Sequence, residues 1–79
     1  MIDSRRRISG GSVIDVVVNG SPEQVREGIT VAELLERLGK KPLGLAVEVN
    51  LEVVPRSRHA ETRLQGGDRV EIVHMVAGG

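Results

Sequence analysis

The last two residues of the sequence, Gly78 and Gly79, are the strongest candidates for chemistry in this chain. Because glycine has no Cβ, a Gly-Gly end can adopt backbone conformations that are closed to other residues. Such an end can enter a narrow channel and present its carboxylate to the active site of another protein. A carboxylate is a poor electrophile and must first be activated, typically as an acyl adenylate made from ATP. A sulfur nucleophile would then leave a thiocarboxylate, and a lysine amine would leave an isopeptide bond.

The strand predicted just before this end strengthens the case. Two terminal glycines alone are a weak signal, because glycine fills about 7% of positions in average proteins. Here the segment Arg69 to Val73 alternates in polarity, with Val70 and Ile72 on one face, which is typical of a half-buried strand. A strand that runs directly into a Gly-Gly end would hold that end out from a sheet. The pattern therefore favours a protein whose C-terminus is processed by a partner.

Cysteine and histidine usage excludes most catalytic chemistry. There is no Cys, so disulfides, thiolate metal sites and thiol catalysis are excluded. The only two histidines are His59 and His74, which are too few for an ordinary His-based metal site. Neither has a partner carboxylate that the sequence can place, and we expect both to be surface residues without a role. We therefore expect no enzyme, no metal site and no bound cofactor.

Composition also limits the partners. The chain has no Phe, Tyr or Trp and a formal net charge of zero, so it has neither the stacking platform nor the basic surface of a nucleic-acid binder. No apolar run approaches the roughly 20 residues that a membrane span needs. The basic run Arg5-Arg6-Arg7 is not followed by the apolar core of a secretory signal. We expect a cytoplasmic monomer that binds neither nucleic acid nor membrane.

The elements that must position the C-terminus are mainly strands, since the core has to be built from Val, Ile and Leu. The β-branched run Val13 to Asn19 predicts the first strand, and Asn19-Gly20 predicts a tight turn into a second. Leu64 is predicted to fill the core from an irregular polar segment. The strands predicted after the first cover Pro22 to Glu27, Leu45 to Val49, Glu52 to Val54 and Arg69 to Val73.

One helix is predicted between the second and third strands. Thr30 and Glu33 have the spacing of a capping box, and Gly39 is placed to end the helix. The residues between them follow the spacing of one apolar helical face, namely Val31, Leu34, Leu35 and Leu38. The helix therefore has one side that must pack on the sheet.

The order β-β-α-β-β-β predicts an α+β fold of the ubiquitin-like β-grasp type. We expect a mixed four- to five-stranded sheet covered by one main helix, with the first and last strands adjacent in its centre. Residues 1–12 are predicted to be a flexible N-terminal extension. Residues 13–79 are predicted to form the folded domain, with a tail over residues 74–79.

Strand alternation also predicts which residues share the sheet face opposite the helix. The side chains proposed to contact a partner on that face are Val17, Glu71, Val73 and Met75. We expect Val17, Val73 and Met75 to form a small exposed apolar patch rimmed by acidic residues. The alternative is that they are scattered apolar surface residues, which are normal in soluble proteins.

The segments of this domain, taken together, resemble one family. They are Val16-Val17-Val18-Asn19-Gly20, Gly28-Ile29-Thr30-Val31-Ala32-Glu33-Leu34-Leu35, Ala46-Val47-Glu48-Val49-Asn50, Val53-Val54-Pro55-Arg56, Gly67-Asp68-Arg69-Val70-Glu71-Ile72 and Val76-Ala77-Gly78-Gly79. Over residues 13–79 the chain resembles the ThiS family, the sulfur-carrier proteins of thiamine biosynthesis. The small subunits of molybdopterin synthase also end in Gly-Gly, but they usually carry aromatic residues and Pro-Pro where this chain has His74-Met75.

The resemblance implies a route for the C-terminus. A ThiF-like adenylyltransferase would adenylylate Gly79 with ATP and Mg²⁺, and a cysteine desulfurase would supply the sulfur that makes the thiocarboxylate. Thiazole synthase would then take the sulfur for the thiazole ring of thiamine. Gly79 corresponds to the modified residue of the family, while Gly78 and Ala77 belong to the tail that threads into the partners.

Three alternatives stay open at this point. A carrier on the same fold could serve molybdopterin synthesis or tRNA thiolation instead. A ubiquitin-like modifier would join Gly79 to lysines of target proteins. A simple β-grasp interaction domain would have no need of Gly78 and Gly79.

Overall fold

The computed structural model describes residues 12–75. Most of the predicted N-terminal extension and the predicted site residues Ala77, Gly78 and Gly79 lie outside this range. The elements in chain order are β1 (Val13–Val18), β2 (Ser21–Arg26), α1 (Val31–Arg37), β3 (Leu45–Val49), β4 (Glu52–Val54), a 3₁₀ turn (Arg56–Arg58) and β5 (Arg69–His74).

The five strands form one mixed sheet in the order β2-β1-β5-β3-β4. The central pair, β1 and β5, is parallel, and the other neighbours are antiparallel. A parallel pair needs a crossover, and here the chain between β1 and β5 includes α1, which covers one face of the sheet. The predicted β-grasp arrangement, with the first and last strands side by side, is therefore confirmed.

Within residues 12–75, the apolar core lies between α1 and the sheet and is built from Val, Ile and Leu. The helix contributes one buried face, as its spacing predicts, and Leu64 fills the core as expected. The buried set is Val16, Val18, Val25, Ile29, Val31, Leu34, Leu35, Val47, Leu64, Val70 and Ile72. Ile14, Leu38, Leu45 and Val49 are partly buried against it. Burial of this kind is the main favourable term in folding a small domain.

The predicted capping box fixes the start of α1. The Thr30 hydroxyl accepts the Glu33 N–H at 3.1 Å, and the Glu33 carboxylate accepts the Thr30 N–H at 3.0 Å. This second hydrogen bond is the main reason why the pKa of Glu33 lies below its ordinary value. Desolvation opposes the shift in pKa, and the Arg26 guanidinium, 3.2 Å from the Glu33 carboxylate, reinforces it. A lowered pKa in the folded chain means that Glu33 adds stability above its ordinary pKa, and that this stability is lost as the pH falls through the lowered value.

The end of α1 is fixed by Gly39, as predicted. Gly39 has φ of 72°, a left-handed conformation that glycine adopts at little cost. The N–H groups of Gly39 and Lys40 bond to the carbonyls of Glu36 and Leu35, which is the Schellman pattern of hydrogen bonds.

The prediction that His59 lies on the surface is wrong. His59 is only 5% exposed, and its Nε2 lies 3.1 Å from the Val54 carbonyl oxygen. Pro55 ends β4, and the following 3₁₀ turn brings the chain back to the helix, where the His59 carbonyl accepts the Ala32 N–H at 3.0 Å. His59 thus ties the end of β4 to the start of α1.

Three strands differ in their bounds from the predictions. β1 ends at Val18 rather than at Asn19, because Asn19 already belongs to the turn. β2 runs from Ser21 to Arg26 rather than from Pro22 to Glu27, because the two-residue turn Asn19-Gly20 allows pairing to resume at once. β5 continues to His74, which pairs with Leu45, so His74 belongs to the strand and not to the predicted tail. Within residues 12–75, no helix is long and apolar enough to cross a membrane.

Removal of the helix cap tests its contribution to stability. Thr30→Ala deletes the hydroxyl that accepts the Glu33 N–H and is expected to lower the free energy of unfolding by about 1 kcal/mol. Urea denaturation followed by circular dichroism measures the change. Thr62→Ala is the matched control, because the half-buried Thr62 donates its hydroxyl to the Arg58 carbonyl in a hydrogen bond that is exposed to solvent. The control should change stability by less than about 0.5 kcal/mol, and equal losses in the two variants would contradict the assignment.

The two histidines give a second comparison. His59→Ala leaves the Val54 carbonyl without its side-chain donor and removes a buried ring, so we expect a loss of about 2 kcal/mol in the free energy of unfolding. His74→Ala, at an exposed position on β5, should change it by less than about 0.5 kcal/mol. Chemical denaturation measures the free energy of unfolding of both variants. An unchanged value for His59→Ala would show that the buried ring contributes no net stability.

Candidate functional site

The residues that lead to the C-terminus come from the central strand of the sheet. β5 has β1 on one side and β3 on the other, and its residues Val70 and Ile72 are buried under α1. The strand reaches His74, and Met75 still donates its N–H to the Gly44 carbonyl at 2.8 Å. The described chain is therefore held beside the sheet up to Met75, which stands four positions before Gly79 in the sequence.

On the side of β5 that faces β1, a side chain makes the last hydrogen bonds to the β5 backbone. β1 pairs with β5 only at Val17 with Arg69 and at Val18 with Val70. The Asn19 side chain then takes over, because its Oδ1 accepts the Ile72 N–H at 2.7 Å and its Nδ2 donates to the Ile72 carbonyl at 3.3 Å. The sequence places Asn19 at the end of the first predicted strand and in the turn that follows it, and nothing local indicates a contact across 53 positions.

Strand parity places the four predicted docking residues as expected, on the sheet face away from the helix. Val73 is 49% exposed, Met75 is 59% exposed, Glu71 is exposed and Val17 is half-buried. Whether any of them contacts a partner stays a prediction.

The predicted patch is nevertheless divided by the register of the strands. Val17 lies beside Arg69, whereas Val73 lies beside Ala46. Because four residues along a strand span about 13 Å, Val17 cannot share a small patch with Val73 and Met75. Val17 faces Pro22 on its other side. The expectation of one patch formed by Val17, Val73 and Met75 is therefore wrong, and the apolar residues near the end of β5 are Val73, Met75 and Ala46.

Two carboxylates lie next to these residues. Glu71 on β5 is directly opposite Glu48 on β3, and both are on the open face of the sheet. Within residues 12–75, neither forms an ion pair with a basic side chain. Like charges directly opposite each other in a sheet are unfavourable by roughly 0.2–1 kcal/mol. The base of the C-terminal segment is thus acidic, with exposed apolar side chains beyond the acids.

The remaining surface offers little that could act as a catalytic centre. A groove of about 280 Å³ lies between α1 and the segment after the 3₁₀ turn, and its walls include Leu35, Lys40 and His59. Across the described residues, no three His, Cys, Asp or Glu side chains are grouped as a metal site would require. The arrangement suits presentation of the C-terminal segment to another molecule.

The ThiS family model matches residues 11–79. The chain belongs to the ThiS family. It is 35% identical to the sulfur carrier protein ThiS of Escherichia coli over 66 residues, which is 84% of this chain and 100% of that protein. The crystal structure of a thiamine biosynthesis protein (ThiS) from Geobacter metallireducens superimposes with a TM-score of 0.74 at 35% identity, covering 84% of this chain and 100% of that one.

A longer relative contains a similar segment. This ThiS-family chain is 41% identical over 64 residues to a thiazole synthase of Paramagnetospirillum magneticum. The match covers 81% of this chain but only 20% of the thiazole synthase, so the chain spans about a fifth of that relative's length.

Proposed function

We propose that this ThiS-family chain is a sulfur carrier of thiamine biosynthesis, thiocarboxylated at Gly79. The observation that carries the proposal is the position of β5. The strand is central, buried on one face and hydrogen-bonded up to Met75, so it forms a firm base immediately before the sequence Val76-Ala77-Gly78-Gly79. Family membership and the likeness to ThiS of E. coli support the same function.

The proposed chemistry takes place at one carboxylate. A ThiF-like adenylyltransferase joins the Gly79 carboxylate to the AMP part of ATP, with Mg²⁺ on the phosphates, and pyrophosphate leaves. A sulfur nucleophile supplied by a cysteine desulfurase then attacks the acyl carbon, and AMP leaves. Because this sulfur is the outer atom of a persulfide, the product of the attack is an acyl disulfide. A thiol reductant then cleaves its S–S bond and is itself oxidised to a disulfide, so that one oxygen of the carboxylate has been replaced by one sulfur.

In this scheme the chain is a cosubstrate and not an enzyme. The described histidines are poorly placed for catalysis, because His59 is buried against the Val54 carbonyl and His74 lies on β5 as an exposed residue. ATP and Mg²⁺ belong to the activating partner. Gly78 has no side chain and Ala77 has only a methyl group, and their role is to let the tail enter the active sites of the partners. Because the activation consumes ATP, we place the reaction in the cytoplasm.

Thiazole synthase is the proposed acceptor of the sulfur. The segment of the P. magneticum thiazole synthase that resembles this chain makes up a fifth of that protein, which supports a carrier and a synthase that act together. A carrier for molybdopterin synthesis or tRNA thiolation would require a different acceptor, and the family match favours thiamine.

Intact-protein mass spectrometry tests the chemistry. The full chain is incubated with ATP, Mg²⁺, a ThiF-like adenylyltransferase, a cysteine desulfurase and cysteine. We expect a mass gain equal to one oxygen-to-sulfur exchange, which fragmentation assigns to Gly79.

Two controls separate the alternatives in that experiment. A chain that lacks Gly78 and Gly79 should gain no sulfur while keeping its stability. If partners that are active on another ThiS produce neither adenylate nor thiocarboxylate, the carrier function is wrong. Conjugates to lysines of other proteins would instead identify a ubiquitin-like modifier.

The proposed contact at the end of β5 can be tested separately. Val73→Asp adds a charge beside Ala46 on the exposed face and is expected to slow both adenylylation and thiazole formation by about tenfold, the loss typical of a buried interface contact. Val13→Asp is the control, because Val13 is also exposed on that face but lies toward the opposite end of the sheet. Unchanged rates with folded Val73→Asp would show that these apolar residues are scattered and do not dock.

A further inference from the structure

β5 extends beyond the end of β1, its parallel neighbour in the sheet. Its pairing with β1 stops at Val70, whereas its pairing with β3 continues to His74. The second half of β5 would therefore be supported from one side only, just before the segment that has to be delivered to a partner. Asn19 is the residue that fills this position.

The Asn19 amide makes the two hydrogen bonds that a longer β1 would have made. The Val17 and Asn19 N–H groups bond to the Asp68 and Val70 carbonyls, at 2.9 and 2.8 Å, in the regular pattern of a parallel pair. In the next repeat, the Ile72 N–H would be bonded to a backbone carbonyl and the Ile72 carbonyl to a backbone N–H of β1. Both bonds are made instead by the Asn19 side chain, at 2.7 and 3.3 Å.

The backbone of Asn19 is needed elsewhere at the same time. Asn19 and Gly20 have φ of 49° and 82°, the left-handed values of a two-residue hairpin turn, and the chain reverses here into β2. Asn19 can adopt this conformation and still reach β5, because its short amide side chain tolerates a positive φ and carries both a donor and an acceptor. A glycine would keep the turn but could make neither bond to Ile72.

We propose that Asn19 is a positioning residue for the sulfur-carrier reaction, holding β5 at Ile72 and thereby fixing the direction in which the C-terminal segment leaves the sheet. This role rests on the proposed function of Gly79. If β5 could change direction after Val70, only a fraction of the molecules would hold the C-terminal segment in the orientation that the activating enzyme binds. The apparent affinity for the activating enzyme falls in proportion to the competent fraction.

The chain contains a matched control at the other end of β5. Asn50 is also the first residue of a two-residue hairpin turn, with φ of 53°. Its Oδ1 accepts the Arg69 N–H and its Nδ2 donates to the Asp68 carboxylate, each at 3.0 Å. Each variant thus removes two side-chain hydrogen bonds. Asn19→Gly removes both from Ile72 near the end of β5, whereas Asn50→Gly removes one from Arg69 at the start of β5 and one from Asp68, which precedes the strand.

The first measurement is the steady-state kinetics of adenylylation with purified activating enzyme, at a temperature where both variants are folded. Asn19→Gly is expected to raise the apparent KM for the carrier about fivefold with little change in kcat, as when the competent orientation falls to a fifth of the population. Asn50→Gly is expected to keep a KM within twofold of the wild-type chain. Equal effects on KM would overturn the inference, because a purely structural role predicts no difference between them.

The second measurement does not depend on the activating enzyme. Backbone ¹⁵N relaxation of the full chain reports the order parameters of His74 and Met75. Asn19→Gly is expected to lower both, and Asn50→Gly to leave both at the wild-type value. Unchanged order at His74 and Met75 in Asn19→Gly would overturn the inference even if KM rises. A wild-type chain that is not adenylylated would instead overturn the proposed function, whatever the relaxation data show about Asn19.

Discussion

The architecture depends on keeping β5 hydrogen-bonded on both sides although its two neighbours run in opposite directions. β3 pairs antiparallel with β5 from Val70 to His74, but β1 is parallel to β5 and turns away after Val18. Unpaired backbone groups inside a sheet are costly, so the sheet needs a substitute where β1 ends. The Asn19 amide provides it, and Asn50 closes the opposite end of the strand. Two turn asparagines therefore hold the central strand in place.

Local signals were sufficient for much of the fold. The capping residues Thr30 and Glu33 and the terminating Gly39 fixed the helix, because each acts on backbone groups within a few positions. The run Val13 to Asn19 and the Asn19-Gly20 pair identified the first hairpin for the same reason. The central pairing of the first and last strands was also predictable, since a single crossover helix between a hairpin and later strands leaves few arrangements.

What could not be predicted depends on contacts between distant positions. His59 stands in a polar segment, and its burial follows only when the 3₁₀ turn brings the chain back to α1. The distance between Val17 and Val73 depends on the register of β1 against β5, which alternation along a single strand does not contain. For the candidate site, the sequence indicated Gly78, Gly79 and the face of the sheet, but it gave no sign that Asn19 reaches Ile72.

The position of the strand also suits the proposed function, in which a small domain presents its end to another protein without losing its fold. Edge strands have one hydrogen-bonded neighbour and open first, while central strands open only with the whole domain. A tail attached to β2 or β4 would pull on an edge, whereas one attached to β5 pulls on Val70 and Ile72, which are buried under α1. The unfavourable Glu48–Glu71 pair on the open face can be tolerated because this core lies directly behind it. The core thus keeps the base of the C-terminal segment fixed, as the proposed reaction of that end with a partner requires.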